Sequence, residues 1–491
     1  MDVSLEPVLR VADVRALEKA AAGVPLMERA GAAAAIVARA RAGERGGVIV
    51  VLAGPGNNGG DGFVVARLLR AAFHDVVVVF RDDAKKLPAD AANALRTLAD
   101  AGATTTTDPP ATRIALVIDA LFGIGIGRPL AARHAELVEW ANASGAPILA
   151  LDIPTGLNAD TGIAIAPAIR ASATATFLGL KPGMLTAGGP DLCGDISVHL
   201  LDVALDPHHA LGHCLRWDAV AAGLPDVLHR HARNVNKGSF GTLAVIGGAQ
   251  GMLGAPLMSA RAALRLGAGK VVVGFAAGTH PDVDFAAPEL MLRAANDAFS
   301  GASAIVIGPG LGTGAASHAL LVRAIAADVP LLVDADGLNL VAADANLRAA
   351  LRSRRSVSVV TPHPGEAARL RGTDVTAIQR DRCAAALALA HELNAHVVVK
   401  GAGSVLAHPD GSWDINASGN PALATAGTGD VLSGIIGALL AQRVDAKDAL
   451  RIGVCLHGAA ADALCARGVG PLGMPASMIA DAARDLVNAR R

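Results

Sequence analysis

Short apolar runs alternate with longer segments of mixed apolar and polar residues along the chain. In the first half the runs are VIVVLA, VVVVF, IALVI and ILAL, at residues 48–53, 76–80, 114–118 and 148–151. Each gap leaves room for a helix, and residues 67–70, 90–101 and 131–144 carry helical patterns. This alternation predicts parallel strands joined by crossover helices, in a doubly wound α/β sheet.

The same alternation returns in the second half after a break. Residues 205–236 lack it and are rich in His, Pro and Asn, so we place a domain boundary there. Further apolar runs follow at residues 242–246, 270–274, 304–307, 331–334, 357–360 and 396–400. The pattern predicts two α/β domains, residues 1–215 and residues 225–491, as the length of 491 residues also favours.

Composition excludes several classes of function. The 43 Lys and Arg residues nearly balance the 44 Asp and Glu residues, so no overall field attracts nucleic acid or anionic lipid. Aromatic residues are 2% of the chain and include no Tyr, which leaves few rings for base stacking. The five cysteines lack CxxC spacing, and the N-terminal segment is acidic rather than apolar. We expect a cytoplasmic protein that binds neither nucleic acid nor membrane.

The first predicted strand runs into the glycine-rich sequence GPGNNGGDG at residues 54–62. A glycine-rich loop between a strand and a helix leaves backbone amides open, and the helix dipole there favours phosphate. A turn that only permits tight packing is the simpler alternative. Such a turn does not need the two Asn residues and the Asp, so the sequence favours a ligand-binding site.

Two other strands of the first half end in polar groups. IALVI continues into DALFGIGIGRP, residues 119–129, and ILAL continues into DIPTG, residues 152–156. Because the carboxyl ends of parallel strands face one crevice, we expect Asn58, Asp119, Asp152 and Thr155 to converge. Their oxygens would suit a hard cation. Taken singly, Asp119 and Asp152 are equally compatible with capping the next helix.

These three motifs, in this order and spacing, resemble the epimerase domain of the NAD(P)H-hydrate repair enzymes, the YjeF N-terminal family. The resemblance covers about residues 10–215 and implies a Rossmann-like three-layer domain. It implies a potassium ion surrounded by Asn58, Asp119 and Thr155. It also implies that Asp152 contacts the substrate and transfers the proton, and Asp61 is the second candidate for the proton transfer. It also implies that two stretches hold the hydrated dinucleotide, namely Asn57, Asn58, Gly59, Gly60 and Asp61, and Gly123, Ile124, Gly125, Ile126, Gly127, Arg128 and Pro129.

Two residues bear on how far the resemblance extends. Thr155 stands where serine is common in the family, but the hydroxyl is retained, so the ion site is unaffected. Lys181, within FLGLKPG at residues 177–183, follows the family pattern. We expect Lys181 to be a surface lysine, and the alternative is a contact with substrate phosphate or with the site.

The second half also carries glycine-rich turns after its strands. GGAQGMLGA, residues 247–255, follows TLAVI, and GPGLGTG, residues 308–314, follows AIVI. His363 lies between two prolines just after a strand, in TPHPGE, whereas a structural histidine would more often lie on a helix face. Lys400 ends a strand before the turn KGAGS, and it is placed to meet a phosphate as a point charge.

The most specific signal is AGTGD at residues 426–430, a glycine turn that opens the helical sequence VLSGIIGALLA. Amides of residues 427–429 at that helix N-terminus would stabilise a transferring phosphoryl group, and Asp430 would accept the hydroxyl proton. The alternative is that Asp430 only complements the helix dipole.

Together with NKGSFG at residues 236–241, these motifs resemble the ADP-dependent NAD(P)H-hydrate dehydratases of the ribokinase-like superfamily, across about residues 225–490. The resemblance implies a ribokinase-like α/β domain in which Ala255, Gly312, His363 and Asp430 contact the hydrated nicotinamide nucleotide. It also implies that ADP, released as AMP, is held by Lys400, Gly401, Ala402, Gly403, Ser404 and Gly429. A magnesium ion is expected to bridge nucleotide oxygens, with ligands that the sequence does not reveal.

The two resemblances imply one repair function. Hydrated NADH (NADHX) and hydrated NADPH (NADPHX) carry a hydroxyl on the reduced nicotinamide ring, and phosphoryl transfer from ADP makes it a good leaving group. Elimination would restore NAD(P)H from the S form, while the first domain interconverts the R and S forms. Two alternatives stay open: a small-molecule kinase that uses ATP, and a first domain that only binds nucleotide or docks the second. We also expect a homo-oligomer.

Overall fold

The computed structural model describes residues 5–43, 46–204 and 212–489. The chain folds as two compact units, an N-terminal unit that begins at residue 6 and a C-terminal unit that follows residue 210. The sequence placed the boundary at residues 205–236, and residues 205–211 of that segment lie outside the described residues. Each unit has its own sheet, so each is taken by itself below.

The N-terminal unit is an alternation of strands and helices. Its strands are β1 (Glu6–Val8), β2 (Val48–Ala53), β3 (Val76–Phe80), β4 (Thr105–Thr106), β5 (Ile114–Ala120), β6 (Ile148–Leu151), β7 (Ala173–Phe177) and β8 (Asp195–His199). Its helices are α1 (Val11–Ala20), α2 (Leu26–Ala42), α3 (Asn57–Ala71), α4 (Ala89–Asp100), α5 (Ala132–Ala143), α6 (Pro182–Leu185) and α7 (Gly189–Leu192). The sheet is parallel, in the order β4, β3, β2, β5, β6, β7, β8.

Helices cover both faces of this sheet, as its continuous apolar strands require. Val51 of β2 packs in a cluster with side chains of α2 and α3, whereas Leu52 packs in a second cluster with Leu137 and Val138 of α5. The sheet therefore lies between two helical layers, which confirms the predicted three-layer α/β arrangement.

The start of α3 differs from the prediction. The stretch from Asn57 to Asp61 was expected to form a loop, but α3 begins at Asn57 and includes it. Glycine makes this possible. A Cβ atom on Gly54 would lie only 1.7 Å from the Leu121 carbonyl oxygen, and a Cβ atom on Gly59 would lie only 2.0 Å from the Gly54 carbonyl oxygen. The glycines therefore let α3 start directly against the ends of β2 and β5.

The C-terminal unit has a larger sheet. Its strands are β9 (Gly212–Leu215), β10 (Thr242–Gly247), β11 (Lys270–Phe275), β12 (Met291–Ala294), β13 (Ala304–Ile307), β14 (Leu331–Val333), β15 (Ser358–Val360), β16 (His396–Val399), β17 (Val405–Ala407) and β18 (Trp413–Asn416). They lie in the order β9, β18, β17, β16, β15, β14, β13, β10, β11, β12. Both pairings of β17 are antiparallel, and the other pairings among these ten strands are parallel.

The helices of the C-terminal unit complete the core. They are α8 (Trp217–Ala222), α9 (Asp226–His229), α10 (Gly254–Arg265), α11 (Ala315–Ala326), α12 (Ala335–Ala343), α13 (Ala345–Arg352), α14 (Pro364–Arg371), α15 (Val375–Arg380), α16 (Arg382–Leu393), α17 (Thr428–Ala441), α18 (Ala446–Ala466) and α19 (Ser477–Asn488). Among the described residues, α18 alone is long and apolar enough to cross a membrane by length and composition, yet 67% of its apolar window is buried inside the fold. Its side chains pack in one core cluster with those of α17 and α19.

Candidate functional site

The first candidate site lies at the carboxyl ends of β2 and β5, where the strand order of the N-terminal sheet reverses. In open α/β sheets such switch points are where ligands bind. A cavity of about 300 Å³ opens there, and its lining includes residues 123–126 together with Asn57, Asn58, Asp61 and Asp152. The remaining predicted dinucleotide contacts do not line it: they are Gly59, Gly60, Gly127, Arg128 and Pro129.

Asp119, near the end of β5, is hydrogen-bonded to Thr155, which follows β6. It lies inside β5 rather than after it, and it is fully buried. The Thr155 backbone amide donates to Asp119 Oδ2 at 2.8 Å, and the Thr155 hydroxyl donates to Asp119 Oδ1 at 2.7 Å. Burial raises the pKa of Asp119 to about 6, against the effect of these hydrogen bonds. Asp119 is therefore not a helix cap, since α5 begins only at Ala132.

Asn58 is the one member of this group without a partner among the described residues. Its side chain is 8% exposed, and both its amide nitrogen and its amide oxygen are buried with no hydrogen bond. Buried polar atoms are almost always satisfied, so this amide indicates a missing ligand. Amide, carboxylate and hydroxyl oxygens are ligands for hard cations. The donor set of Asn58, Asp119 and Thr155 therefore fits a cation in its chemistry.

Asp152 forms an ion pair that the sequence did not predict. Its backbone has a φ of 65°, a conformation that Asp and Asn adopt more readily than most residues. Lys181 Nζ lies 2.5 Å from Asp152 Oδ1, and the Ile124 amide donates to Asp152 Oδ2 at 3.2 Å. The expected surface position of Lys181 is wrong, because its side chain is fully buried. Burial of the ammonium is tolerated since Asp152 supplies the opposite charge.

Two further carboxyl groups, on Asp61 of α3 and Glu18 of α1, face the same cavity. Burial raises the pKa of each, and the charge of Asp152 raises both further. Glu18 was not identified from the sequence because α1 carries no motif. The only available signal was the spacing of its polar positions, which is common to every surface helix.

The second candidate site lies at the carboxyl ends of β10 and β13, where the order of the C-terminal sheet reverses. The GPGLGTG turn follows β13, and a Cβ on Gly308 would lie 1.8 Å from the carbonyl oxygen of Asp334. Only glycine allows this approach, and Gly308 also has a φ of 129°. Gly312 donates its amide to Asp336 Oδ2 at 2.8 Å. Ala255, the other small residue predicted to contact substrate, lies in the first turn of α10.

Asp430 lies in the first turn of α17, whose N-terminal cap is Gly427 in a left-handed conformation. Burial raises the pKa of Asp430 to about 6, and the charge of Asp334 adds to this rise while that of Lys400 opposes it. A group that only complemented the helix dipole would be stabilised as an anion, with a lowered pKa. A raised pKa suits a group that accepts a proton near neutral pH.

Lys400 and Asp334 form the charged centre of this site. Lys400 Nζ lies 3.2 Å from Asp334 Oδ1, and the Ser433 hydroxyl donates to Asp334 Oδ2 at 2.6 Å. A Cβ on Gly429 would lie 3.4 Å from Lys400 Nζ, so the lysine is close to the AGTGD turn. The sequence placed Asp334 at a strand end but assigned it no role, and the structure shows that it holds Lys400 in place.

The remaining predicted ADP contacts form one turn after β16. The Gly401 amide donates to Ser404 Oγ at 3.2 Å, which closes the turn. Arg382 of α16 is 2% exposed and donates from Nη2 to the Ala402 carbonyl oxygen. No motif contains Arg382, so sequence reasoning did not find this support of the turn.

His363 caps α14 in addition to any ligand role. Its Nδ1 accepts the Gly365 amide at 2.9 Å, and its own amide donates to Glu366 Oε2 at 2.8 Å. Burial, followed by the charges of Lys400 and Arg369, lowers the pKa of His363, so the ring is neutral near pH 7. Nδ1 is used in the cap and Nε2 lies 3.4 Å from Glu366 Oε1, so both ring nitrogens of this half-exposed side chain already face partners on α14.

Comparison with known proteins establishes the family. A model described as YjeF-related protein N-terminus matches residues 23–183, and a model described as NAD(P)H-hydrate dehydratase matches residues 243–484. The bifunctional NAD(P)H-hydrate repair enzyme of Escherichia coli K12 is 39% identical, across 97% of this chain and 93% of the relative. The chain belongs to the bifunctional NAD(P)H-hydrate repair enzymes. The resemblance seen in the motifs is thereby confirmed for both halves of this repair enzyme.

Solved structures match the C-terminal unit of this repair enzyme. A ribokinase-like superfamily protein from Enterococcus faecalis V583 is 25% identical and covers 58% of this chain and 99% of that chain, with a TM-score of 0.50. The ADP/ATP-dependent NAD(P)H-hydrate dehydratase of Bacillus subtilis, co-crystallised with ATP and Mg²⁺, is 28% identical. It covers 56% of this chain and 99% of that chain, with a TM-score of 0.48. The first likeness confirms the predicted ribokinase-like fold.

Proposed function

We propose that the N-terminal unit interconverts the R and S forms of NADHX and NADPHX, and that the C-terminal unit dehydrates the S form with ADP. One observation carries this proposal: each unit brings several of its predicted residues together at its own sheet, with Asn57, Asn58, Asp61 and Asp152 around one cavity and Lys400 beside the AGTGD turn. The likeness to a bifunctional relative across 97% of this chain supports both activities. The sequence predicted these activities for residues 1–215 and 225–491; because the C-terminal unit follows residue 210 and includes β9 and α8, we assign the dehydratase to that whole unit.

In the dehydratase, Asp430 accepts the proton of the ring hydroxyl as phosphate is transferred from ADP. Amides of residues 427–429 at the start of α17 stabilise the charge that develops on the phosphoryl group. The products are AMP and a phosphate ester, and elimination of phosphate restores the double bond of NAD(P)H. Ala255, Gly312 and His363 are the other proposed substrate contacts. ADP is assigned to Lys400, Gly401, Ala402, Gly403, Ser404 and Gly429.

Magnesium is proposed as an ion that neutralises nucleotide phosphate. The described residues contain no group of three His, Cys, Asp or Glu side chains placed to hold a metal. This fits Mg²⁺, which keeps several waters and often uses one or two carboxylates together with phosphate oxygens. Both oxygens of Asp334 are occupied by Lys400 and Ser433. Glu366, buried near Lys400, accepts the His363 amide on Oε2 and has His363 Nε2 3.4 Å from Oε1, so no carboxylate of this site is assigned to the ion.

In the epimerase, Asp152 is the proposed proton-transfer group, and the cavity residues 123–126 and Asn57 to Asp61 hold the dinucleotide. The unsatisfied Asn58 amide supports a potassium ion bound with Asp119 and Thr155. Potassium, when bound, supplies a fixed positive charge beneath the cavity. Both NADHX and NADPHX are assigned as substrates.

Location and assembly stay predictions. The described residues contain five free cysteines, four of them buried, as suits a reducing compartment. This supports the proposed cytoplasmic location. The homo-oligomer is expected without a structural observation in its favour.

The dehydratase reaction is tested by its products. With S-NADHX and ADP, we expect NADH absorbance to return with one AMP and one phosphate formed per NADH. A kinase would instead leave a stable phosphorylated compound, and ATP would replace ADP without loss. Return of NADH without AMP, or no return at all, would contradict the assignment.

The acid limit of the dehydratase should follow Asp430. Because its pKa is raised, the Asp430 carboxyl group binds a proton more tightly than an exposed Asp does. The carboxylate that acts as the base is therefore lost as the pH falls through about 6. We expect kcat/KM to fall about tenfold per pH unit below that point. Initial rates with S-NADHX and ADP over about pH 5 to 8 test this, whereas an acid limb near the ordinary Asp value of about 3.9 would contradict it.

A further inference from the structure

Three carboxyl groups share the epimerase cavity, but their partners differ. Asp152 is paired with Lys181 at 2.5 Å and accepts the Ile124 amide. The Asp61 side chain forms no hydrogen bond or ion pair in the part of the chain that the structure describes, although it lines the same cavity. The cavity wall also carries the unpartnered, buried amide of Asn58, which independently indicates a ligand here.

This asymmetry matches what inversion at the hydrate carbon requires. The hydroxyl lies on the ring carbon next to nitrogen, so breaking the carbon–oxygen bond leaves an iminium carbon that water can attack from either face. The departing hydroxyl needs a proton donor, and the attacking water needs a proton acceptor. Two carboxyl groups in opposite protonation states supply both roles in one site.

We propose, on the basis of the proposed epimerase function, that Asp61 and Asp152 form a complementary acid–base pair and that Glu18 resets their protons. Asp61 donates its proton to the hydroxyl, the carbon–oxygen bond breaks, and water leaves while the ring nitrogen lone pair forms the iminium bond. Water then adds to the opposite face and gives a proton to Asp152. Atoms balance, because one water leaves and one adds, and one proton has moved from Asp61 to Asp152.

The surroundings support this division of roles. Lys181 Nζ pairs with the Asp152 carboxylate, and this carboxylate also favours the positive charge of the iminium carbon. Asp61 has no cation partner, and burial together with the charges of Asp152 and Glu18 raises its pKa well above the ordinary value. Asp152 therefore has a cation partner and Asp61 has none among the described residues, which is the difference in surroundings that an acid and a base in one site need.

Glu18 is placed to return the proton after each turnover. It lines the cavity beside Asp61 and also lines an adjoining cavity of about 430 Å³ in the same unit. Its side chain is exposed, so it exchanges protons with solvent. Net flow from the R to the S form needs such a return, because every inversion leaves Asp61 ionised and Asp152 protonated.

The proposal is tested in the full chain without ADP, by separating the R and S forms of NADHX over time. We expect Asp61→Asn to lower kcat for exchange about 100-fold or more, with little change in KM. The matched control is Asp90→Asn, because Asp90 lines only the adjoining cavity, and we expect its rate within twofold of the unchanged chain. Urea unfolding followed by a probe in the N-terminal unit reports whether both variants are folded there, because the dehydratase activity reports only on the C-terminal unit.

Two further readouts distinguish chemistry from structure. In H₂¹⁸O, the unchanged chain is expected to place ¹⁸O on the inverted carbon, and exchange without label would overturn the carbon–oxygen cleavage. Glu18→Gln should slow net flow from R to S, and added formate should restore it, because a small acid can carry the missing proton. A Glu18→Gln rate that is normal, or that formate does not restore, would overturn the role of Glu18.

Failure of this inference is separable from failure of the proposed function. If the unchanged chain does not exchange the two forms, the epimerase assignment itself fails. If the unchanged chain exchanges them and Asp61→Asn is equally fast, the epimerase assignment stands and the acid–base pair is wrong.

Discussion

Asp430→Asn is expected to lower kcat of the ADP-dependent dehydratase by about 1,000-fold, within the range that loss of a general base produces. The amide keeps the size and much of the polarity of the side chain but cannot accept the hydroxyl proton. The variant should be no less stable than the unchanged chain near pH 7. Because burial raises the pKa of Asp430, keeping this carboxylate ionised near pH 7 lowers the free energy of unfolding. The neutral Asn side chain removes that cost.

The control for this variant is Asp448→Asn. Asp448 lies in the first turn of α18, as Asp430 does in the first turn of α17. Loss of a helix-dipole interaction there should cost about 0.3 to 1 kcal/mol in the free energy of unfolding and leave kcat unchanged. If Asp430→Asn behaves like this control, Asp430 is only a dipole partner and the proposed chemistry of the C-terminal unit fails.

Asp152→Asn is expected to abolish measurable exchange of R-NADHX and S-NADHX, a loss of about 100-fold or more, while the dehydratase still acts on the S form. Asn is chosen because it tolerates the positive φ of this position, whereas Ala would add backbone strain. The substitution also leaves the buried Lys181 ammonium without its counter-charge. We therefore expect the free energy of unfolding of the N-terminal unit to fall by about 3 kcal/mol.

A double variant separates the lost chemistry from the lost stability. In Asp152→Asn with Lys181→Met, the buried charge is removed together with its partner, so much of the stability should return. Exchange of the two forms should not return, because the proton-transfer group is still absent. Urea unfolding followed by a probe in the N-terminal unit, together with the exchange assay, measures both effects. Recovery of exchange in the double variant would show that Asp152 acts only by neutralising Lys181.

The sequence predicted the sheets best where strands are continuous apolar runs. β2, β3 and β6 were predicted with the bounds that the structure gives. β7 was missed because its sequence, ATATF, interrupts the apolar pattern with threonines although the strand is buried on both faces. β17 was missed because it is only three residues long, and β18 was missed because it contains polar residues such as Asp414, whose buried charge is balanced by Arg451. Local pattern does not show such tertiary compensation.

The candidate sites were predictable to the extent that they are made of motifs at strand ends. Asn58, Asp119 and Thr155 lie at or just after the ends of neighbouring strands of one sheet, and Lys400, just after β16 of the other sheet, lies close to the AGTGD turn. Supporting residues outside motifs were not predictable, because Glu18 and Arg382 reach their sites only through packing of α1 and α16. The position of Lys181 was predicted wrongly for the same reason, since its burial depends on pairing with a residue 29 positions away.

The central claim, two complementary activities in one chain, is tested most directly by recovery of NADH from an equal mixture of R-NADHX and S-NADHX with ADP. The unchanged chain should recover all of the NADH, faster than exchange occurs without protein. Asp152→Asn should stop near half, Asp430→Asn should recover none, and the two variants mixed should together recover all. If the unchanged chain also stops at half, the N-terminal unit is not an epimerase, and if it recovers none, the repair function is wrong.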